Sequence, residues 1–280
     1  MALPRERIRA AYEDACRLEI EALKPGNVHR FADGHRMSAE QFLTSARVSA
    51  VPLTDPELSV GRRILEAVGA TRRAVGVNTN LGIVLLSAPL ARAAEIGSGG
   101  LRENLQAVLQ STSMDDARAV FEAIVLASPG GLGSAVENDV REEPRIHLLE
   151  AMREAADRDR IARQYVTRFD DVFRIGLAAF EAAMSRGESG MWPTVFTYMA
   201  FLTSFPDSHV ARKHGDEIAG QVREQATAVK TLVEVADERS RIDLLVEFDR
   251  KLKARAINPG TSADLTVACL LVHLLGDHLA

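Results

Sequence analysis

Residues 5–24, RERIRAAYEDACRLEIEALK, repeat their apolar positions every three or four residues. Ile8, Ala11, Tyr12, Ala15, Leu18 and Ala22 share one face, and Arg5, Glu6, Arg9, Glu13 and Arg17 fall mostly elsewhere. That spacing is the period of an α-helix with one side turned to a core. The run stops at Pro25-Gly26, a pair that ends helices.

The same period continues through the chain. Ser38 followed by Gln41 reads as a capping box opening a second helix through Phe42, Ala46 and Val48, which Pro52 is expected to stop. Further helices are predicted over 58–75, 81–96, 101–110, 115–127, 145–157, 169–186, 192–204, 216–235, 242–256 and 263–279. Residues 82–86 have strand propensity, but their neighbours are helical and no partner strand lies nearby, so they are read as helix. The connections are short apart from a glycine-rich turn at 97–100 and the segment 128–144, and neither resembles an interdomain linker. The expectation is an all-α, single-domain bundle of about ten to twelve helices spanning residues 1–280.

Composition narrows the function. The 280 residues are 46% hydrophobic and carry a net charge of -5 with both signs mixed, so no basic stripe is present to hold nucleic acid. Cys16 and Cys269 are too few and too far apart for a disulfide framework or a zinc site, and read as core thiols in a reducing compartment. Residues 1–9 lack the apolar run of an export signal, and the apolar stretch 81–91 falls short of the ~20 residues that span a bilayer. A cytoplasmic protein without a membrane partner is expected; the oligomeric state is left open.

Several polar clusters stand at predicted helix ends. Lys24-Pro25-Gly26-Asn27-Val28-His29 closes the first helix; Pro-Gly terminates a helix by itself, yet lysine is scarce here, 5 of 34 basic residues. Asn78-Thr79-Asn80-Leu81-Gly82 precedes the most apolar helix, where free backbone N–H groups can receive an anion or simply a cap. Asn258-Pro259-Gly260-Thr261-Ser262-Ala263-Asp264 repeats that arrangement near the carboxyl end. Between them lie Gly130-Gly131-Leu132-Gly133 followed by Glu137, Asn138 and Asp139, and the cationic run Arg212-Lys213-His214 after Asp207-Ser208-His209. The glycine run lacks the lysine and hydroxyl of a P-loop, and no preceding strand offers a dinucleotide fold. No nucleophile elbow and no His-Glu-x-x-His motif occur.

In their order and helical setting, Glu19 with residues 24–28, residues 78–82, residues 207–215 and residues 259–265 resemble the motifs of the triphosphoribosyl-dephospho-CoA synthase family, over nearly the whole chain. The resemblance implies an all-helical enzyme in which ATP loses adenine while its triphosphoribosyl group passes to the ribose 2'-hydroxyl of dephospho-CoA. Such chemistry needs a base for the hydroxyl, cations for the triphosphate and stabilisation of an oxocarbenium-like ribose. On that basis Glu19 or Asp207 is expected as base. Lys24, Arg212 and Lys213, with His214 and Ser262, are expected on phosphates, and Asp139 and Asp264 on Mg2+. Asn27, Asn78 and Asn80 are expected to orient the nucleotide. Where the family pattern carries a His-Lys pair, this chain has Asn80-Leu81, which removes a cation. The 130–133 loop and residues 148–152 resemble stand-alone relatives from methanogens and methylotrophs. Two alternatives follow: ribosyl or phosphoribosyl transfer in tetrahydromethanopterin synthesis, with phosphoribosyl pyrophosphate as donor, and a catalytically inactive nucleotide-binding protein of the same fold.

Overall fold

The computed structural model describes residues 2–35, 37–129 and 139–276. Among these, fourteen α-helices and one π-helical turn account for the regular structure, and the β pairing amounts to two isolated bridges in the 29–37 loop. The helices are α1 (Arg5–Glu21), α2 (Ala39–Leu53), α3 (Val60–Val75), α4 (Leu81–Ala94), α5 (Leu101–Gln110), α6 (Met114–Ala127), α7 (Leu148–Ala155), α8 (Arg160–Thr167), α9 (Leu177–Ser185), α10 (Trp192–Ser204), α11 (Ser208–His214), α12 (Asp216–Val235), α13 (Glu238–Ala254) and α14 (Gly260–Gly276). None is long and apolar enough to cross a membrane.

The count exceeds ten to twelve because two short helices are set by their caps rather than by apolar period. Asp159 accepts the N–H groups of Ile161 and Ala162 and starts α8; Asp207 does the same for His209 and Val210 and starts α11. The expected helix over 169–186 is interrupted: Arg168 and Phe169 both take positive φ, and the π-helical turn Val172–Gly176 precedes α9. Pro52 does not stop α2 but lies in its last turn, and the Ser38 capping box forms as expected. Residues 82–86 are helical within α4.

α14 organises the interior. Apolar on all sides, it packs on α1, α4, α10 and α11, as a helix buried all round must. Its Leu265, Leu270 and Leu271 join Tyr12, Ile64 and Leu86 in one hydrophobic cluster, while Ala263 at its start belongs to a second with Tyr198, Val222 and Phe248. Cutting a fully buried leucine such as Leu270 to alanine costs about 2–5 kcal/mol. The starts of α4, α11 and α14 and the end of α1 come together beside this core, which puts the polar motifs of the sequence in one place.

Candidate active site

The two Pro-Gly turns lock together. Gly26 adopts φ 82, and a side-chain carbon there would come within 2.8 Å of Pro259 Cδ, so a residue without Cβ is required. Asn27 Nδ2 donates to Asn258 Oδ1 at 2.8 Å across the same junction. The hydroxyl of Tyr198 donates to Pro25 O at 2.7 Å, and Gly26 N donates to Asp249 Oδ1 at 2.8 Å. Asp249 also receives Lys253 at 3.1 Å and faces His29. The recurrence of Pro-Gly beside asparagine is therefore the two halves of one joint.

Against this joint opens a cavity of about 1010 Å³. Of the residues expected from the sequence, Glu19, Asn27, Asn78, Asn80, Arg212, Lys213 and Asp264 line it. Their elements differ: Glu19 ends α1, the asparagines stand in turns, Arg212 and Lys213 lie on α11, and Asp264 lies in the first turns of α14. Gly82 is what lets α4 approach, since a Cβ there would overlap Oδ2 of Asp264. Asp264 accepts no hydrogen bond and makes no ion pair among the described residues. Burial, then the nearby Glu19, Asp207 and Asp159, push it well above the usual carboxylate range.

Lys24 does not reach this space. It is wholly buried, with its ammonium 2.5 Å from Glu19 Oε1 and donating to Val28 O at 2.7 Å and Asn27 Oδ1 at 3.4 Å. Burial pushes Lys24 down and Glu19 up, and each opposes the other's shift. Asp207 and Ser262 are likewise spent on one another. Asp207 Oδ2 accepts Ser262 N at 2.7 Å and Ser262 Oγ at 2.8 Å, while Oδ1 accepts His209 N and Val210 N. His214 turns away, its Nε2 3.3 Å from Ala256 O. Asp139 bonds Arg141 and is not among the cavity-lining residues, and the 130–133 loop, Glu137 and Asn138 lie outside the described residues.

Asn78 rather than Asn80 caps α4, its Oδ1 accepting Leu81 N at 3.1 Å. Asn80 donates to Ser49 Oγ at 3.2 Å, and Ser49 shares a 2.8 Å hydrogen bond with Tyr12, a chain from the cavity wall into the core. Leu81, at the position where the family pattern has a cation, packs its side chain on the hydrophobic cluster and leaves that stretch of wall apolar.

Sequence reasoning missed the contribution of residues 157–163. Arg158, Asp159, Arg160 and Arg163 all line the cavity. Arg160 grips Asp171 through Nε at 2.8 Å and Nη2 at 3.0 Å and stacks on Phe205, and Asp159 Oδ2 holds Arg212 at 3.3 Å. The alternating charges of Asp157-Arg158-Asp159-Arg160 were the available signal, hidden because the predicted helix ends at Asp157 and the residues after it read as a plain connection. His209 and His35 also line the cavity. Burial, then Lys213 and Arg212, push His209 down to about 3. Lys213 has no ion pair among the described residues, and burial together with Arg212 pushes it down.

The fold and cavity thus define an all-helical protein whose interior pocket sets carboxyl groups and asparagine amides against cations, suited to a polar, anionic small molecule. Residues 5–280 match the family model of ATP:dephospho-CoA triphosphoribosyl transferase. The fold is similar to a crystal structure of a protein from Archaeoglobus fulgidus provisionally assigned as a triphosphoribosyl-dephospho-CoA synthase. That match has a TM-score of 0.65 and 27% identity, covering 84% of this chain and 98% of that one. No curated protein sequence matches. The chain belongs to the ATP:dephospho-CoA triphosphoribosyl transferase family, a family of transferase enzymes. These matches favour neither the tetrahydromethanopterin-directed reading nor the inactive one.

Proposed function

We propose that this protein transfers the triphosphoribosyl group of ATP to the ribose 2'-hydroxyl of dephospho-CoA in the cavity between α1, α4, α8, α11 and α14. The observation that carries the reading is the cavity itself: Asp264, a carboxyl group with no hydrogen bond or ion pair among the described residues, lies in it together with Glu19 and the cations Arg212 and Lys213. The bond from the ATP ribose C1' to adenine breaks, a bond from C1' to the acceptor oxygen forms, the hydroxyl proton passes to a carboxylate, and adenine leaves with a proton. Glu19 is the base in this scheme. One of its oxygens is held by Lys24, which favours the ionised form against burial, whereas every strong acceptor position of Asp207 is already used.

Arg212 and Lys213 take phosphates, and Asn27, Asn78 and Asn80 orient the nucleotide. Mg2+ fits Asp264 in the way that ion is commonly held, by one or two carboxylates together with substrate phosphates rather than by a protein cage. In keeping with that mode, the described residues contain no cluster of three or more metal-ligating side chains. When bound, the ion would neutralise triphosphate charge. The same reading treats residues 1–280 as one domain, supported by α14 serving both hydrophobic clusters, and predicts a single cooperative unfolding transition.

The test is incubation of the purified protein with ATP, Mg2+ and dephospho-CoA, followed by chromatography and mass measurement. Adenine should appear together with the triphosphoribosylated acceptor and should need dephospho-CoA. A protein that folds and yields neither product overturns the reading.

A further inference from the structure

Resting on that reading, we propose that His209 is a donor-contacting residue whose Nε2 hydrogen-bonds a phosphoryl oxygen of the triphosphate. His209 lines the cavity, yet its Nε2 is buried and has no hydrogen-bond partner among the described residues. Leaving such an atom unpaired carries an uncompensated desolvation penalty, so an orphan of this kind calls for an explanation.

The segment that carries the ring is held in place. Its backbone N–H donates to Asp207 Oδ1 at 2.9 Å and to Thr261 Oγ1 at 3.1 Å. The imidazole packs against the start of α14: a side-chain carbon at Gly260 would lie 2.7 Å from Nδ1, so glycine is needed for the ring to seat. Thr261 is itself tied to Ser208 Oγ at 3.0 Å, which in turn receives Arg160 N at 3.1 Å from α8. Three elements therefore fix the backbone that carries the imidazole at the cavity wall.

The surroundings select the ligand. Lys213 and Arg212 of its own helix place positive charge near the ring, and Asp159 pairs with Arg212. Asp207, the acid two residues before it, has four donors on its carboxylate. Lys213 has no ion pair among the described residues, and burial favours the neutral ring, which has one N–H to donate. A polyphosphate meets both needs, since its oxygens accept from Nε2 and its charge offsets Lys213 and Arg212. Adenine and ribose do the first without the second.

Isothermal titration with inorganic tripolyphosphate tests the contact on wild type, His209→Leu and His209→Gln, with the ligand-free melting temperature recorded for each. The leucine variant should bind tripolyphosphate about tenfold more weakly, the size of a charge-assisted hydrogen bond at the low end of its range. The glutamine variant, which keeps an N–H donor, should recover part of that loss, and it carries the test if the leucine variant fails to fold. Equal affinity in all three proteins overturns the contact, and so does a glutamine variant that is folded but as weak as leucine. Adenine release from ATP is measured on the same preparations. Binding of tripolyphosphate that depends on His209, in a protein releasing no adenine, leaves this contact standing and sinks the transfer reading. Adenine release with binding indifferent to His209 does the reverse.

Discussion

Replacing Lys24 with methionine separates a structural lysine from a substrate-binding one. Lys24 is 0% exposed and its partner Glu19 3%, with the ammonium 2.5 Å from the carboxylate. Truncating one member of such a pair leaves a buried charge alone and costs about 3–5 kcal/mol. Loss of the donors to Val28 O and Asn27 Oδ1 falls within the same figure. Glu19 is already raised by burial, and Lys24 is the influence opposing that rise, so the variant carboxyl climbs further. The sign follows from linkage: a folded state that binds the extra proton loses stability as pH rises from the ordinary value, 4.5, through the folded one. The deficit measured by urea unfolding should therefore be larger at pH 8 than at pH 5. Adenine release at neutral pH should fall by about 10²–10⁴-fold, the usual contribution of a general base. The Glu19→Gln/Lys24→Met pair should regain much of the stability, because no lone charge is left inside. A stability loss under about 1 kcal/mol together with a raised KM for ATP would refute the reasoning, since that pattern belongs to a lysine on phosphate.

Three further outcomes follow from the same geometry. Gly82→Ala places a carbon into Oδ2 of Asp264, so it should lose adenine release while costing about 1–3 kcal/mol of stability from overpacking, checked by urea unfolding and product assay; a fully active variant would show that the approach of α4 to Asp264 is immaterial. Asp264→Asn should abolish stabilisation by Mg-ATP. Because burial raises Asp264 above 3.8, the wild type loses stability as pH climbs past that value and the variant does not, so the variant should gain on wild type between pH 4 and pH 8 in paired melting curves. Asp207→Ala strips the caps of α11 and the partners of Ser262, and should cost about 2–4 kcal/mol in urea unfolding; a loss near zero would mean that these hydrogen bonds hold nothing.

What was legible in the sequence was periodicity. The 192–204 and 216–235 helices fall where the apolar spacing puts them, and the Ser38 box forms from the residues that announce it. What was hidden depended on partners distant in the chain. α8 and α11 are only 8 and 7 residues long, too short for a period to show, and each exists because one aspartate caps it. Lys24 looked like a phosphate ligand because local sequence cannot show that Glu19 stands one turn back and faces inward with it. The clustering of polar motifs at helix ends was visible; that Asn27 pairs with Asn258, 231 residues away, was not.

The acids around the cavity differ less in kind than in how far their hydrogen-bonding capacity is used, and that gradient separates scaffold from chemistry. Asp207 accepts four donors and Asp249 is met by Gly26, Lys253 and His29, so protonation or ligand binding at either would break structure first. Asp159 caps α8 with one oxygen and holds Arg212 with the other. Glu19 is held through one oxygen. Asp264 accepts nothing among the described residues and bears the strongest push toward neutrality. A half-buried carboxyl left so poorly supplied is a cost the fold carries without return until something enters the cavity to meet it. The cations fall on the same scale, since Arg160 is engaged by Asp171 and Phe205 while Lys213 has no ion pair among the described residues. Asp264, Glu19 and Lys213 are thus the charges with capacity to spare, and they mark where substrate, rather than protein, completes the structure.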